Sequence, residues 1–457
     1  MNVLNGFFTD TTFYKKLFKL GLPITLQAFL VSLVGVSDAF MLGGIDQNAM
    51  AAVSLATQIQ FLQSMVVFAI TYAVSILGAQ YWGKNDKESI SKIFRIGLRS
   101  IGSTSLFVAL LCTFCPEMLM RIFAEEGPMV KIGAEYLRIA GFSYLLTGVS
   151  QCYLTILKIT NKADLSAIIG GSAVILNIIL NYIFIYGHFG FPAMGAKGAA
   201  LATLIARIIE LLAGILSSFQ KGAIKAQWKR LFEKYPALSK DFQKCVLPLL
   251  GGVIFWGVGF SSYTAVLGHL GEDAAAANAA AAVLRDLLCC LTDGMAGATI
   301  IIVGNELGAG KLELGKLYGC RFAILSAIVG VITMGAVLLL APVVINNMKL
   351  TAEASELLRG MFYILSFYMI GRCINTVVIN GVFGAGGDTL FDMYSLAVCM
   401  WGLAVPLAFL GAFVFHWPIL LVYGCTCIDE VGKLPWVFNH FRRFIWVKDL
   451  TRNNVDN

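Results

Sequence analysis

Charged side chains are scarce in this chain of 457 residues. Only 13% of them are Asp, Glu, Lys or Arg, against about a quarter in a typical soluble domain. Hydrophobic residues make up 58% instead. A water-soluble globule could not bury that much apolar surface, because even large domains leave much of the chain facing water. The composition excludes an ordinary soluble domain and predicts a protein whose solvent is the lipid bilayer.

Residues that build metal and catalytic sites are also few or badly spaced. The four histidines are His188, His269, His416 and His440. They lie near the ends of apolar segments, far apart in sequence, and so suggest neither a zinc site nor a catalytic triad. The eleven cysteines are odd in number and lie mostly inside apolar runs, which argues against a disulfide framework. Nothing in this inventory predicts an enzyme.

Apolar runs long enough to cross a bilayer as helices recur about twelve times. The first half holds runs at 17–42, 50–80, 93–116, 132–158, 165–187 and 197–220. The second half holds runs at 245–268, 274–307, 318–345, 354–383, 390–413 and 417–440. The predicted fold class is an all-α integral membrane protein with about twelve transmembrane helices.

The two halves repeat each other at a nearly constant offset. A Lys-x-x-x-Pro motif ends at Pro23 and again at Pro248, and Gly78 returns as Gly304, at offsets of 225 and 226 residues (248 − 23 and 304 − 78). Six helices per half is an even number, so both halves start on the same side of the membrane. The repeat is therefore parallel, as in transporters whose lobes are related by an axis along the membrane normal. We predict two six-helix lobes.

Lysine and arginine are distributed unevenly over the predicted loops. One set of loops holds Lys15, Lys16, Lys84, Lys87, Lys92, Lys158, Lys162, Lys311, Lys316, Arg321, Arg442, Arg443 and Lys448. The opposite set holds little beyond Arg121, Lys131, Lys197 and Lys349. By the positive-inside rule both termini are cytoplasmic, and the expected location is the plasma membrane.

The longest polar stretch separates the two predicted lobes. We assign residues 1–220 to an amino-terminal lobe, 221–243 to a cytoplasmic linker and 244–457 to a carboxy-terminal lobe with a cytoplasmic tail. The linker is basic. Anionic lipid beside it explains that charge better than nucleic acid does, so the predicted partners are the bilayer and a small-molecule substrate.

Polar side chains in the first-half spans need a reason, because ionisable groups are costly in hydrocarbon. Asp38 lies near the outer end of the first span, and Asn177, Asn181 and Thr203 fall at comparable depths on the fifth and sixth spans. One carboxylate with neutral oxygens suits a small hard cation or a proton. We predict a cation-coupling site, with an interhelical hydrogen-bond cluster as the alternative.

The second half carries a different set of charges. Arg285, Asp286 and Asp293 lie along the eighth span, with the two aspartates seven residues apart on one face. Arg372 on the tenth span lies at a depth comparable to Asp293, so we predict an ion pair between them. The sequence leaves open whether these charges are structural or serve a substrate or protons.

Two further sets of charged residues are expected to have ordinary surroundings rather than a role in transport. Arg207 and Glu210, one turn apart on the sixth span, should neutralise each other. Asp429 and Glu430 fall near the predicted cytoplasmic face, where solvation is the expected state.

Several short stretches together are typical of one family. They are Pro23 through Gln27, Asp38, Gly43-Gly44, Ala51-Ala52, Gly78-Ala-Gln-Tyr-Trp-Gly-Lys, Gly195-x-x-Gly198-Ala-Ala-x-Ala-Thr203 and Gly304-Asn-Glu-Leu-Gly-Ala-Gly-Lys311. As a set they resemble multidrug and toxic compound extrusion (MATE) transporters over essentially the whole chain. The resemblance implies two lobes in a V, alternating access, and entry of sodium or protons driving export of amphipathic, often cationic compounds.

The resemblance also carries over to single positions. Asp38 matches the acidic residue of the family's first helix, and Asn177, Asn181 and Thr203 match its cation-site companions. Pro23 resembles the helix-bending proline of the DinF-like branch. Asn181 stands where many members carry a second Asp, which implies a site of single negative charge.

The carboxy-terminal lobe departs from the family pattern. The Glu and Asp that form a site there in the NorM-like branch correspond to Trp256 and Cys373 in this chain. The chain is therefore closer to the DinF-like branch, and coupling through that lobe is doubtful unless Asp286 or Asp293 substitutes.

We expect a non-enzymatic antiporter whose only cofactor is the coupling ion, Na⁺ or H⁺. Gln58, Tyr153 and Trp256 are candidates for contact with a cationic substrate, with helix packing as the alternative role. A flippase for lipid-linked saccharide is the second interpretation, but it should line its cavity with several Arg or Lys residues. An ion channel is a weaker one, because it would need a repeated pore motif.

Overall fold

The computed structural model describes residues 7, 9–43, 47–123, 127–348 and 350–452, apart from the side chains at 35, 36, 38–40, 42, 43 and 47–49. The side chain of Asp38 lies outside this description, as do Gly44 of the Gly-Gly motif and Lys349 of the predicted outer loops. Within the described ranges the regular structure is entirely helical, which confirms the predicted all-α class.

The helices of the first half follow the predicted spans. They are α1 (Thr11–Gly43), α2 (Gln47–Gly83), α3 (Lys87–Phe114), the short α4 (Pro116–Arg121), α5 (Pro128–Ile159), α6 (Ala163–Tyr186) and α7 (Ala196–Ser217). Their ends match local sequence signals. Asp86 caps α3 by accepting a hydrogen bond from the Ser89 backbone N–H at 3.0 Å, and α6 ends at Gly187, whose φ of 77° favours glycine.

The second half contains α8 (Pro236–His269), α9 (Glu272–Gly308), α10 (Leu312–Asn347), α11 (Ala352–Asn375), α12 (Thr389–Leu396), α13 (Val405–Phe413), α14 (Ile419–Thr426) and α15 (Ile428–Arg442). A π-helical segment, Thr376–Phe383, continues α11, and another, Ala397–Ala404, joins α12 to α13. Eleven helical stretches among the described residues are long and apolar enough to span a membrane. The twelfth predicted span is helical too, but it is broken at Cys427 between α14 and α15.

The chain forms two compact units. The amino-terminal unit is Leu26–Phe242 with Arg452–Asn457, and the carboxy-terminal unit is Met1–Thr25 with Gln243–Thr451. The divisions fall inside α1 and α8, whereas we expected the lobes to begin with these helices. The lobe assignment as functional bodies stays a prediction.

Packing explains why the start of α1 belongs to the carboxy-terminal unit. Phe13 is buried between Tyr318 and Phe322 of α10, with ring centroids 5.1 Å apart in both contacts. Further along, Gly294 of α9 leaves room for the backbone of Thr25, since a Cβ on Gly294 would lie 2.7 Å from the Thr25 Cα. The first turns of α1 are thus anchored by aromatic packing and close backbone approach.

The predicted linker is ordered along α3 of the amino-terminal unit. Ser91 Oγ donates to the Lys225 carbonyl at 2.8 Å, Arg95 to Gln227 Oε1 at 2.7 Å, and Arg99 to a linker carbonyl at 3.0 Å. These three donors are spaced four residues apart, so they lie on one face of α3. The linker therefore follows this helix face.

Candidate ion-coupling sites

The neutral cluster of the amino-terminal unit lies between α6 and α7. Asn177 Nδ2 donates to Thr203 Oγ1 at 3.1 Å, and Asn181 Nδ2 donates to Asn177 Oδ1 at 3.4 Å. Both asparagines are buried. These hydrogen bonds bring together three of the four side chains that we expected at one level, and we call these three the neutral cluster; their role in cation coupling stays a prediction.

Small residues allow α6 and α7 to approach closely enough for these bonds. A Cβ on Gly198 would lie 2.6 Å from the Phe184 carbonyl oxygen. Ala199, Ala200 and Ala202 of α7 are buried. Thr203 Oγ1 also donates to the carbonyl of Ala199, four residues earlier in α7, at 3.0 Å, which holds the hydroxyl oxygen in position to accept from Asn177.

Asp38 belongs to the same unit through its backbone. Gln27 of α1 is buried against Gly170 of α6, where a Cβ would lie 2.6 Å from Gln27 Nε2. Asp38 follows Gln27 by eleven residues, which is about three helical turns, so the Asp38 Cα lies on the same face of α1. Asn181 follows Gly170 by the same number of residues. We therefore expect Asp38 to come level with Asn181.

Pro23 lies inside α1, which is helical from Thr11 to Gly43. A proline removes one backbone donor and weakens the helix at that turn. It lies two residues before the division between the two units at Thr25 and Leu26. This position is compatible with the predicted bending role, which stays a prediction.

The three candidate substrate contacts differ in accessibility. Gln58 of α2 is exposed. Trp256 of α8 is half-buried and lies 4.8 Å from the Phe260 ring, in an aromatic cluster of the carboxy-terminal unit. Tyr153 is only 3% exposed and packs edge-on against Phe94 at 4.9 Å. In this conformation the geometry favours Gln58 and Trp256 over Tyr153 as ligand contacts.

The predicted pair between Asp293 and Arg372 is wrong. Arg372 Nη1 lies 3.0 Å from Glu430 Oε1, and this is the ion pair that the arginine makes among the described residues. Asp293 is exposed and interacts with Arg372 only at longer range. Counting depth along two helices does not select the partner, because the rotation of each helix decides which side chains meet, and one residue of rotation turns a side chain by about 100°.

The expectation that Asp429 and Glu430 are solvated is also wrong. Their exposed fractions are 0% and 1%. The break at Cys427 lets α15 begin with these two acids directed into the unit, against α11. Glu430 accepts hydrogen bonds from Asn375 Nδ2 at 2.7 Å and lies 3.1 Å from Lys433 Nζ. Sequence reasoning missed Lys433 and Asn375, although the three-residue spacing of Glu430 and Lys433 was a usable signal.

The remaining charges agree with expectation. Arg207 and Glu210 form an ion pair at 2.5 Å, with the glutamate 1% exposed. Arg285 pairs with its neighbour Asp286 at 2.9 Å, and the Asp286 side chain is 64% exposed. Asp286 and Asp293 are both accessible, as their shared helix face predicts.

The helix α9 exposes two stripes with different chemistry. One carries the apolar side chains Val283, Leu287 and Leu291 at four-residue spacing, which suits lipid. The other carries Asp286 and Asp293. Because carboxylates facing lipid are costly, the acidic stripe is suited to an aqueous space.

Comparison with known proteins gives a consistent result. The family model described as MatE matches residues 23–183 and again 248–410, once in each half. The uncharacterized transporter YisQ of Bacillus subtilis is 24% identical over 445 residues, covering 96% of this chain and 96% of its own length. The probable multidrug resistance protein NorM of Thermotoga maritima is 24% identical over 463 aligned residues, covering 96% and 95%.

A solved structure extends the likeness to three dimensions. A mutant of the Vibrio cholerae MATE transporter VcmN superposes with a TM-score of 0.87 at 16% identity, covering 95% of this chain and 97% of that one. At this low identity the likeness shows the fold. It agrees with the helix order and the paired halves described above.

Proposed function

The chain belongs to the MatE family and is therefore an efflux transporter for multidrug and toxic compounds rather than an enzyme, and we propose that it is an ion-coupled antiporter. It exports amphipathic, mainly cationic organic compounds in exchange for Na⁺ or H⁺ by alternating access. It resides in the plasma membrane with both termini in the cytoplasm, as the distribution of Lys and Arg over its loops suggests. Within the family it belongs to the DinF-like branch, because Pro23 resembles the helix-bending proline of that branch.

The neutral cluster is the observation that carries this proposal. Asn177, Asn181 and Thr203 bring three uncharged oxygens together inside an apolar unit. Such oxygens coordinate a small hard cation without adding charge. Asp38, level with Asn181 along the helices, supplies the single carboxylate, so one monovalent cation or one proton neutralises the site.

Coupling follows from the cost of a buried charge. An unoccupied site holds one carboxylate in an apolar setting, which is unfavourable. Cation or proton binding removes that cost and changes the preferred conformation of the unit. A ligand shifts such an equilibrium only by its differential affinity for the two states, so the ion gradient drives export through the occupancy of Asp38.

The carboxy-terminal unit offers a surface suited to organic cations. The acidic stripe of Asp286 and Asp293 on α9 attracts positive charge. Trp256 and Phe260 on α8 add aromatic faces, on which a cation can stack. A cationic amphipathic compound matches both features.

The flippase interpretation is less well supported. It needs unpaired basic side chains to bind pyrophosphate. The basic side chains Arg207, Arg285, Arg372 and Lys433 of the described spans each pair with a carboxylate. The charge of these four side chains is already neutralised within the protein, so they offer little to a phosphate-bearing lipid.

Export from proteoliposomes tests the proposal. We expect an imposed Na⁺ or H⁺ gradient to drive efflux of at least one compound from a panel of organic cations. The two gradients are applied separately, and a lipid-linked saccharide is included as a comparison substrate. Gradient-independent movement of the saccharide, with no driven efflux of any cation, would favour the flippase instead.

A further inference from the structure

A cluster of ionisable side chains lies buried in the carboxy-terminal unit, at positions to which the family resemblance assigns no role. It contains the acids Asp429 and Glu430 and the bases Arg372 and Lys433, and the half-buried Asp392 of α12 interacts with both bases at longer range. We call it the charged cluster. With all five groups ionised it carries one more negative charge than positive. An uncompensated charge in such a setting is unfavourable, so the cluster has room for one monovalent positive charge.

Within the charged cluster, Glu430 has hydrogen-bond and ion-pair partners for both of its carboxylate oxygens. Its carboxylate lies 3.0 Å from Arg372 Nη1 and 3.1 Å from Lys433 Nζ, and it accepts from Asn375 Nδ2 at 2.7 Å. Both bases are thus directed at one acid. Glu430 gains nothing from a further proton, because each of its oxygens already has a cationic partner.

Asp429, the next residue along the chain, is in the opposite situation. It is fully buried, and neither carboxylate oxygen has a hydrogen bond of good geometry. Tyr263 of α8 is also buried and turns its hydroxyl toward this carboxyl group, again without good hydrogen-bond geometry. An ionised carboxylate here has no well-aligned donor, whereas a protonated one is neutral and has a hydroxyl of its own to donate.

We propose that Asp429 is a proton-binding site of this transporter, separate from the amino-terminal neutral cluster. A proton from water forms one O–H bond with an Asp429 oxygen and cancels the excess charge of the charged cluster. This proposal rests on the proposed function, because the proton bound at Asp429 takes part in ion-coupled export. A metal cation suits the position less well, because Arg372 and Lys433 repel it and no three acids, cysteines or histidines among the described residues are placed to ligate a metal together.

The groups that face Asp429 come from several helices. On α15 they are Glu430 and Lys433, on α11 Arg372 and Tyr368, and on α8 Tyr263. Two thiols, Cys427 and Cys399, complete the surroundings. The two bases favour the ionised form of Asp429, and Glu430 together with burial favours the protonated form. These effects oppose each other, so a small rearrangement can switch the proton affinity.

Arg372 is the member best placed to make that change. Its side chain is 19% exposed, against 1% for Glu430, and it interacts at longer range with Asp293 of the acidic stripe. Movement of Arg372 toward the stripe weakens its hold on the buried acids. Loss of a nearby positive charge favours protonation of Asp429. Proton uptake is thereby linked to conformation.

Infrared difference spectroscopy on the full chain in lipid tests this site. Asp429→Asn is compared with the wild type and with Glu313→Gln, which removes an exposed carboxylate from the first turn of α10. Spectra are recorded from about pH 5 to about pH 9 in the carbonyl-stretch region of protonated carboxyl groups. We expect a titrating band that Asp429→Asn lacks and Glu313→Gln keeps. Proton-driven efflux should fall at least about tenfold in Asp429→Asn only.

Three results would overturn the proposal. The first is the same titrating bands in Asp429→Asn as in the wild type. The second is an Asp429 band that does not change with pH, which would mark a permanently protonated structural residue. The third is wild-type proton-driven efflux by folded Asp429→Asn. If the proposed export function fails instead, the wild type shows no driven efflux, yet the infrared result still decides whether Asp429 titrates.

A second variant covers the case in which Asp429→Asn does not fold. Tyr263→Phe keeps the ring and removes the hydroxyl that faces the carboxyl group. The surroundings of Asp429 become less polar, which favours the neutral form. We expect the midpoint of the band to move to higher pH, with no loss of folded protein. An unchanged midpoint would contradict the assignment of the band to Asp429.

Discussion

The two units solve the problem of buried polarity in different ways. At its candidate site the amino-terminal unit uses amides and a hydroxyl, with Asn177 at the centre of the neutral cluster, and its buried Arg207–Glu210 ion pair is not part of that cluster. The carboxy-terminal unit uses five ionisable groups, with Glu430 bound by two bases. Neutral groups form modest hydrogen bonds and leave oxygens for a cation. Charged groups form stronger, short-range pairs that mostly neutralise one another.

This difference predicts which variants affect transport and which affect folding. Removal of the Asp38 charge takes away the driving ion and should cost little stability, because an amide of the same shape can replace the carboxylate. Removal of one member of the charged cluster strands its partner in an apolar interior. The candidate site of the amino-terminal unit should therefore be sensitive mainly in transport assays, and the ion-paired members of the charged cluster, Arg372, Glu430 and Lys433, mainly in stability assays.

The largest transport effect is expected from Asp38→Asn. The amide preserves the shape of the side chain and removes the titratable charge, so the protein should fold normally and lose at least about tenfold in gradient-driven efflux. Efflux from proteoliposomes and thermal unfolding of the same preparation measure the two quantities. Full gradient-driven transport by a well-expressed variant would remove Asp38 from the coupling site.

The largest stability effect is expected from Glu430→Gln. It leaves Arg372 and Lys433 without their shared carboxylate, and stranding a buried charge costs about 3–5 kcal/mol. The double variant Glu430→Gln/Lys433→Met removes one acid together with its paired base, which keeps the net charge of the cluster as in the wild type, and should recover part of that loss. Thermal unfolding in detergent measures both. Strictly additive losses in the double variant would mean that the two groups do not act as a pair.

A smaller and mixed effect is expected from Asn177→Ala. It removes a donor to Thr203 and an acceptor for Asn181, which should cost about 1 kcal/mol of stability. Coupling should fall several-fold, because a cation ligand is lost. Thr203→Val removes the hydroxyl of a second cluster member at nearly constant shape and should lower coupling in the same way. If most of the Asn177→Ala protein is unfolded but the folded fraction transports normally, the neutral cluster has a structural role only.

The smallest effect concerns an ion pair at the edge of the carboxy-terminal unit. Burial acts to raise the pKa of Asp10, but the Phe13 N–H, which donates to its carboxylate at 3.0 Å, and the Arg321 guanidinium outweigh it and lower the pKa. The ionised group therefore stabilises the fold above the ordinary carboxyl value of about pH 4. That contribution is lost as the pH falls through the lowered pKa.

Asp10→Asn should accordingly lower the melting temperature at neutral pH, and the difference from wild type should shrink under acid conditions. Glu353→Gln, at an exposed acid in the first turn of α11, is the control. A difference that persists unchanged down to about pH 3 would show that Asp10 acts through packing rather than charge.

Much of the fold was readable from the sequence because it depends on local composition. The apolar runs predicted α5, α6 and α7 to within a few residues, and the repeat offset of 225 residues recurs in the two family-model matches, which begin at residues 23 and 248. A transmembrane helix needs only enough consecutive apolar residues. Its existence does not depend on which neighbour it packs against.

The neutral cluster was also predictable, for a geometric reason. Asn177 and Asn181 are four residues apart and must share a face of any helix. Thr203 follows from counting depth on the next helix, which reverses direction after a short loop. Helix periodicity and the short loop between the two helices therefore nearly fix this arrangement.

The sequence by itself determined the bilayer as solvent, the helical class, the doubled architecture and the asparagine pair, because these depend on composition and periodicity. The tertiary structure alone decided that Arg372 binds Glu430, that Asp429 is buried and that the first turns of α1 join the carboxy-terminal unit. Ion-pair choice depends on helix rotation and on the break at Cys427. Neither follows from depth counting, because a single residue of rotation redirects a side chain by about 100° and so toward a different helix.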